Sequence, residues 1–222
     1  MADIRLQHGT GLDHHVNQGA AWLSQCAGGA NTALLSYAAL EFRFAIEKIS
    51  VFYWATLLNR RPSEKDMEVI GSFRHIQTSI FELGGNQLKI NRHYDFMRIF
   101  MKAMQIGLPF HTPDIGLLQR HWGECSELCH VGWPLSVGAP DIGAQAFKQL
   151  VAIEDELKRH VSSLGWPVLQ DPTIIALRDR FVEGTAKEVD VLDYLRSVGV
   201  WARAEFPDGR PNHFVGEPIP KS

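Results

Sequence analysis

Apolar residues run without Gly or Pro from Leu34 to Leu58, LLSYAALEFRFAIEKISVFYWATLL. At 100° per residue they fall on every side of the axis, which predicts one long helix buried all round. Four charges interrupt it: Glu41, Arg43, Glu47 and Lys48. In a central helix such charges are expected to be paired or used, because burying them alone is costly. Caps and breaks predict the other elements. Leu12 to Cys26 reads as a first helix that stops at Gly28-Gly29, and Asn31 or Thr32 can cap the central helix, which ends near Asn59. Ser63-Glu64-Lys65-Asp66 resembles a capping box and opens a third helix running to about Leu83. Gly84-Gly85-Asn86 is a turn, and a fourth helix covers about Lys89 to Ile106. Thr112-Pro113 reads as an N-cap with Pro at the first helical position, so a fifth helix runs to about Val131, stopped by Gly132 and Pro134. A sixth covers about Ala144 to Ser163.

After Leu164-Gly165-Trp166-Pro167 the pattern changes. Asp171-Pro172 starts a short helix to about Val182, and another follows from Lys187 to Val198. Two β-like runs, at 200–204 and 213–215, flank Pro207-Asp208-Gly209, a hairpin signal. Helix, turn, helix, hairpin is the outline of a winged helix. The expected fold is therefore mainly α. A multi-helix bundle around a long central buried helix spans 1–165, and a small C-terminal α+β, winged-helix-like appendage spans 166–222.

Composition narrows the setting. The chain has 222 residues with a formal net charge of −3, so no overall pull toward nucleic acid or anionic lipid is expected. The three cysteines, Cys26, Cys125 and Cys129, lack the spacing of a disulfide framework and suit a reducing compartment. The first fifteen residues hold no apolar core of a secretory leader, and no run of about 18 residues is apolar and free of charge. A cytoplasmic setting is expected. The segment 166–222 holds seven Lys and Arg against nine Asp and Glu. Its presumed recognition helix, KEVDVLDYLR, is acidic where phosphates would lie, so contact with a cognate protein is expected there rather than DNA binding.

Candidate chemistry sits on two helices. Arg43 and Glu47 are four apart and can pair, while Glu41 and Lys48 lie nearly above one another on the opposite side. Either these are two ion pairs that hold the bundle in register, or Arg43 faces a groove and meets a phosphate through its planar donor fork. On the fifth helix, His121, Cys125 and Cys129 step by four, but they span about 12 Å along the axis, too far for one tetrahedral ion. They read as a core stripe with Leu117, Leu118, Trp122 and Leu128, facing away from Arg120, Glu124, Glu127 and His130. His130 lies at the helix C-terminus beside Glu127. There it can act as a general acid or base, or merely satisfy the last carbonyls. Arg92 and His93 open a helix, against its dipole, so a bound anion would help there. Gly-rich phosphate loops and a Gly-x-Ser-x-Gly elbow are absent, and neither a metal nor another cofactor is expected.

SYAALEFRFAIEKIS, followed some eighty residues later by HWGECSELCHVGW, resembles the HEPN superfamily across roughly residues 12–163. The resemblance implies a helix with Arg and an acidic residue packed on a helix ending in His. It further implies a homodimer and, in many members, a metal-independent ribonuclease of toxin or antiphage systems; other members are inactive binding domains. Carried over, His130 matches the catalytic His, with Glu127 orienting it. The Arg that active members carry four to six residues before the His is absent, since Arg120 lies ten residues before it, about 15 Å along the axis. The resemblance therefore implies an Arg from elsewhere: Arg43, Arg92 or a second protomer. The functional expectation is an RNA-cleaving or RNA-binding effector of bacterial defence, with catalytic His130, Glu127 and Arg43 and RNA contacts at Arg92, His93 and Arg120. The alternative is a non-catalytic helical oligomerisation or protein-interaction module.

Overall fold

A computed structural model describes residues 11–60, 62–103, 111–129, 141–162, 168–198, 202–204 and 213–215. The fold is mainly helical. The described residues form α1 (Leu12–Ser24), a 3₁₀ turn (Ala27–Gly29), α2 (Thr32–Leu58), α3 (Glu64–Val69), α4 (Phe73–Gly84) and α5 (Gln87–Ala103). There follow α6 (Ile115–Cys129), α7 (Ile142–Ser162), α8 (Pro172–Val182) and α9 (Glu188–Val198). Strands β1 (Ala202–Ala204) and β2 (His213–Val215) pair antiparallel. No described helix is long and apolar enough to cross a membrane.

The caps explain most boundaries. Asn31 accepts from the Leu34 amide at 3.4 Å, and Asn59, in the left-handed region at φ 54°, ends α2. Ser63 and Asp66 form a reciprocal capping box at the start of α3. Arg60 holds the Asp66 carboxylate at 2.6 Å, and that bond, with the bonds from Ser63, keeps it well below the usual carboxylate range. Asp171 accepts from the amides of Thr173 and Ile174, with Pro172 in the first turn of α8.

Two expected elements differ. The single helix expected from Ser63 to Leu83 is two, because the helical backbone stops at Ile70–Ser72, where Gly71 sits and the Ser72 hydroxyl accepts from the His75 amide. The cap of α6 is Asp114, not Thr112: its carboxylate accepts from the Leu117 amide at 2.9 Å.

The chain divides into two compact units, one of residues 1–83 and 113–164 and the other of 84–112 and 165–222. The expected boundary at 165 thus misses an exchange: α5 belongs with the C-terminal helices. In the first unit α2 packs against α1, α6 and α7, with Leu35, Phe42, Ile46 and Ile49 fully buried. The chain crosses itself where Gly29, at φ 104°, meets Gly143 at the start of α7; a Cβ on Gly143 would lie 2.4 Å from the Gly29 carbonyl oxygen. The expectation that α2 is buried all round fails on one face. Tyr37 is 53% exposed, Leu40 36% and Phe44 40%.

In the second unit Phe96, Met97, Phe100 and Met101 of α5 share a core with Ile174 and Leu177 of α8 and Val191 and Leu195 of α9. Beyond α9 the described residues show one strand pair of three residues each, too short to make a sheet with a buried face. This falls short of the winged-helix appendage expected from the sequence. The expected turn at 207–209 lies outside the described residues.

Candidate functional site

Arg43 leaves α2 toward α6. Its Nε lies 3.3 Å from Glu47 Oε1, and its guanidinium carbon stands 4.8 Å from the Trp122 ring centroid. The same Glu47 oxygen accepts from Trp122 Nε1 at 2.8 Å. One carboxylate therefore holds both the base of the guanidinium and the indole on which it rests, a cation–π arrangement. Phe73, at the start of α4, stacks on that indole with centroids 4.9 Å apart and planes 10° from parallel. Nη1 and Nη2 of Arg43 have no hydrogen bond among the described residues, and the side chain is 27% exposed. Its charge reaches the last turn of α6: burial raises the Cys125 and Cys129 thiols, and Arg43 opposes that rise at both. Cys129 also points its sulfur at the Ser36 carbonyl, 3.8 Å away, and Ser36 Oγ donates to the Leu128 carbonyl at 3.0 Å. The α2–α6 contact is thus pinned at the C-terminal turn of α6. Beside it, Ser126 Oγ is buried with no hydrogen-bond partner among the described residues.

The other expected site residues fare differently. His130 lies outside the described residues, one position beyond Cys129 in sequence. Glu127 and Arg120 are exposed on α6, as their polar arc implied. Of the residues expected to contact RNA on α5, Arg92 is half-buried and His93 is buried. Arg92 Nη1 donates to the Val182 carbonyl at 3.3 Å, at the end of α8, where a cation answers the helix dipole. His93 is only 8% exposed. Burial, with Arg178 close by, pushes its ring down to about 4, so it is neutral near pH 7. His121 bonds Glu124 at 2.9 Å, Cys125 is fully buried and Cys129 half-buried, as the core-stripe reading has it. Glu41 takes its bond from His15 Nδ1 at 2.6 Å, across from α1, where a pair with Lys48 was expected.

The sequence reading missed a buried polar chain between α2 and α7. Tyr53 Oη lies 2.5 Å from His160 Nδ1, and His160 Nε2 lies 3.2 Å from Glu156 Oε1. Arg159 pairs with the other Glu156 oxygen. His160 is 1% exposed and Tyr53 2%. Burial, then the Glu156 charge, raises the Tyr53 hydroxyl above its ordinary range. The available signal was local: Glu156, Arg159 and His160 stand at i, i+3 and i+4 of one helix, a spacing that lets both bases meet the carboxylate. Tyr53, inside an apolar run, gave no such sign. Buried as it is, this chain of bonds ties α2 to α7.

No protein-family model, curated protein or solved structure matches the chain.

Proposed function

We propose that the chain is a HEPN-like, RNA-directed effector in which Arg43 binds the scissile phosphate and His130 moves the proton. The observation that carries this reading is the reach of Arg43 from α2 to the last turn of α6, within electrostatic range of Cys129, the residue directly before His130. On this reading the arginine absent from the expected spacing before His130 comes from α2. Its two terminal nitrogens form a fork suited to phosphate oxygens, and Glu47 with Trp122 holds the stem still.

In the reaction His130 takes the proton of the ribose 2′-hydroxyl. The oxygen attacks phosphorus and the bond to the 5′-oxygen breaks. The protonated imidazole returns a proton to that leaving oxygen, giving a 2′,3′-cyclic phosphate and a 5′-hydroxyl. Arg43 offsets the charge that builds on the phosphoryl oxygens. Binding must rest on few contacts, because residues 1–83 and 113–164 hold eleven Lys and Arg against fifteen Asp and Glu.

The test is cleavage of single-stranded RNA by the full chain with EDTA present. The wild type should yield cyclic-phosphate ends, and His130→Ala and Arg43→Ala should each cut at least about a hundredfold more slowly while keeping the wild-type circular dichroism spectrum. RNA left intact by the wild type, or cut at an unchanged rate by His130→Ala, overturns the reading in favour of a non-catalytic interaction module.

A further inference from the structure

Two pins fix α6 on α2, and a polar group lies unclaimed between them. At one pin the Ser36 hydroxyl donates to the Leu128 carbonyl, and at the other Trp122 Nε1 donates to Glu47. The two helices therefore run in opposite directions, and Ser126 falls in the stretch of α6 between the pins. On the facing stretch α2 offers Ala39, three residues past Ser36 and four before Arg43 on the same side of the helix. A methyl group takes no hydrogen bond. The Ser126 hydroxyl accordingly has no partner among the described residues, although the residue is only 7% exposed. A buried donor left unpaired costs free energy, so this hydroxyl adds nothing to the stability of the fold.

Arg43 brings further unclaimed donors to the same strip of α6. Its guanidinium lies over Trp122, and its charge reaches Cys129. Ser126 stands one turn after Trp122 and three residues before Cys129, and the three fall within about 60° of one another round the helix. Glu47 takes Nε of Arg43, which leaves Nη1 and Nη2 with no hydrogen bond among the described residues. Gly123, one turn before Ser126, has nothing within 4 Å of the place a Cβ would occupy. A helical side chain leans back over the preceding turn, so rotation about χ1 carries the Ser126 hydroxyl toward that open space. We propose that Ser126 is a second ligand of the phosphoryl group that Arg43 binds, its hydroxyl donating to one non-bridging oxygen while the Arg43 fork takes the other. The inference rests on the reading of Arg43 as a phosphate ligand and not on the cleavage of RNA.

Inorganic phosphate, titrated into the full chain at constant ionic strength, tests the site without RNA. The readout is the Trp122 indole N–H in a proton–nitrogen NMR spectrum, assigned by its loss in Trp122→Phe. In the wild type that signal should shift to saturation as phosphate draws on the guanidinium above the ring, and Arg43→Ala should abolish the shift. Ser126→Ala should raise the phosphate dissociation constant about tenfold, the worth of one hydrogen bond to a charged group. In phosphate-free buffer the same variant should melt about 2–4 °C above the wild type, because it removes an unpaired buried hydroxyl and breaks no bond. A wild-type signal indifferent to phosphate, an unchanged affinity in Ser126→Ala, or a lower melting temperature in that variant overturns the proposal. If the wild type cuts RNA while Ser126→Ala binds phosphate equally well, this inference alone falls. If the wild type leaves RNA intact while its phosphate binding depends on Ser126, the cleavage reading alone falls.

Discussion

At His93 the burial of a titratable ring becomes a pH dependence. The folded ring titrates at about 4, lowered first by burial and then by Arg178, with Asp179 opposing. An unfolded histidine titrates near 6.5. The folded state therefore holds a neutral ring where the unfolded chain takes up a proton. Stability from this group is complete above about pH 6.5 and is lost as pH falls toward about 4. The slope is at most about 1.4 kcal/mol per pH unit, on the order of 3 kcal/mol in all. Urea titrations from pH 7 to pH 4 should show this decline, and His93→Gln should flatten it; an equal decline in the variant would mean other groups dominate. The same residue shows why candidate sites are hard to read from sequence. His93 and Arg92 stand at the exposed start of a helical run as well as a surface pair would. Both side chains answer to α8, far along the chain: Arg92 bonds the Val182 carbonyl, and His93 feels the charges of Arg178 and Asp179.

At the scale of elements, local chemistry was legible at three helix starts where a side chain caps its own helix, and was misplaced at Asp114. Asn31, the Ser63–Asp66 box and the Asp171-Pro172 start carry their reasons within a single turn of chain. The burial of α2 was legible only in part, because an apolar pattern on all sides does not say which face a neighbour will leave bare. Close approach was not legible either, and glycine shows it. Gly123, inside α6, has nothing within 4 Å of where a Cβ would sit, whereas at Gly143 the Cβ would meet the Gly29 carbonyl oxygen at 2.4 Å. Both look alike in the sequence. Gly123→Ala should raise unfolding free energy by roughly 0.5–1 kcal/mol, the usual gain of Ala over Gly in a helix. Gly143→Ala must push two backbones apart and should lower it by roughly 1–3 kcal/mol. Denaturant midpoints for the two variants should therefore move in opposite directions from the wild type, and a shared direction would place the crossing elsewhere.

For the whole molecule, the division into units is where the sequence reading and the structure part most clearly, and the reason is physical. A change of composition after Pro167 suggests a boundary, yet compactness is set by which apolar faces meet. The face of α5 carries Phe96, Met97, Phe100 and Met101, and its partners are Ile174, Leu177, Val191 and Leu195, all beyond the apparent boundary. A chain cut after residue 165 keeps α5 and loses every one of those partners. Each large side chain stripped of cover costs about 1.5–3 kcal/mol relative to burial, so four of them far exceed what a short helix supplies by itself. The fragment 1–165 should bind a hydrophobic dye strongly and associate on sizing. Leu35, Phe42, Ile46, Leu118 and Leu150 lie buried in the other unit, residues 1–83 and 113–164. Replacing the four uncovered α5 residues by polar ones in the fragment should therefore remove the dye binding while the helical signal of α1, α2, α6 and α7 remains. A fragment 1–165 that stays monomeric and dye-free without those replacements would restore the boundary at 165 and break the assignment of α5 to the C-terminal helices.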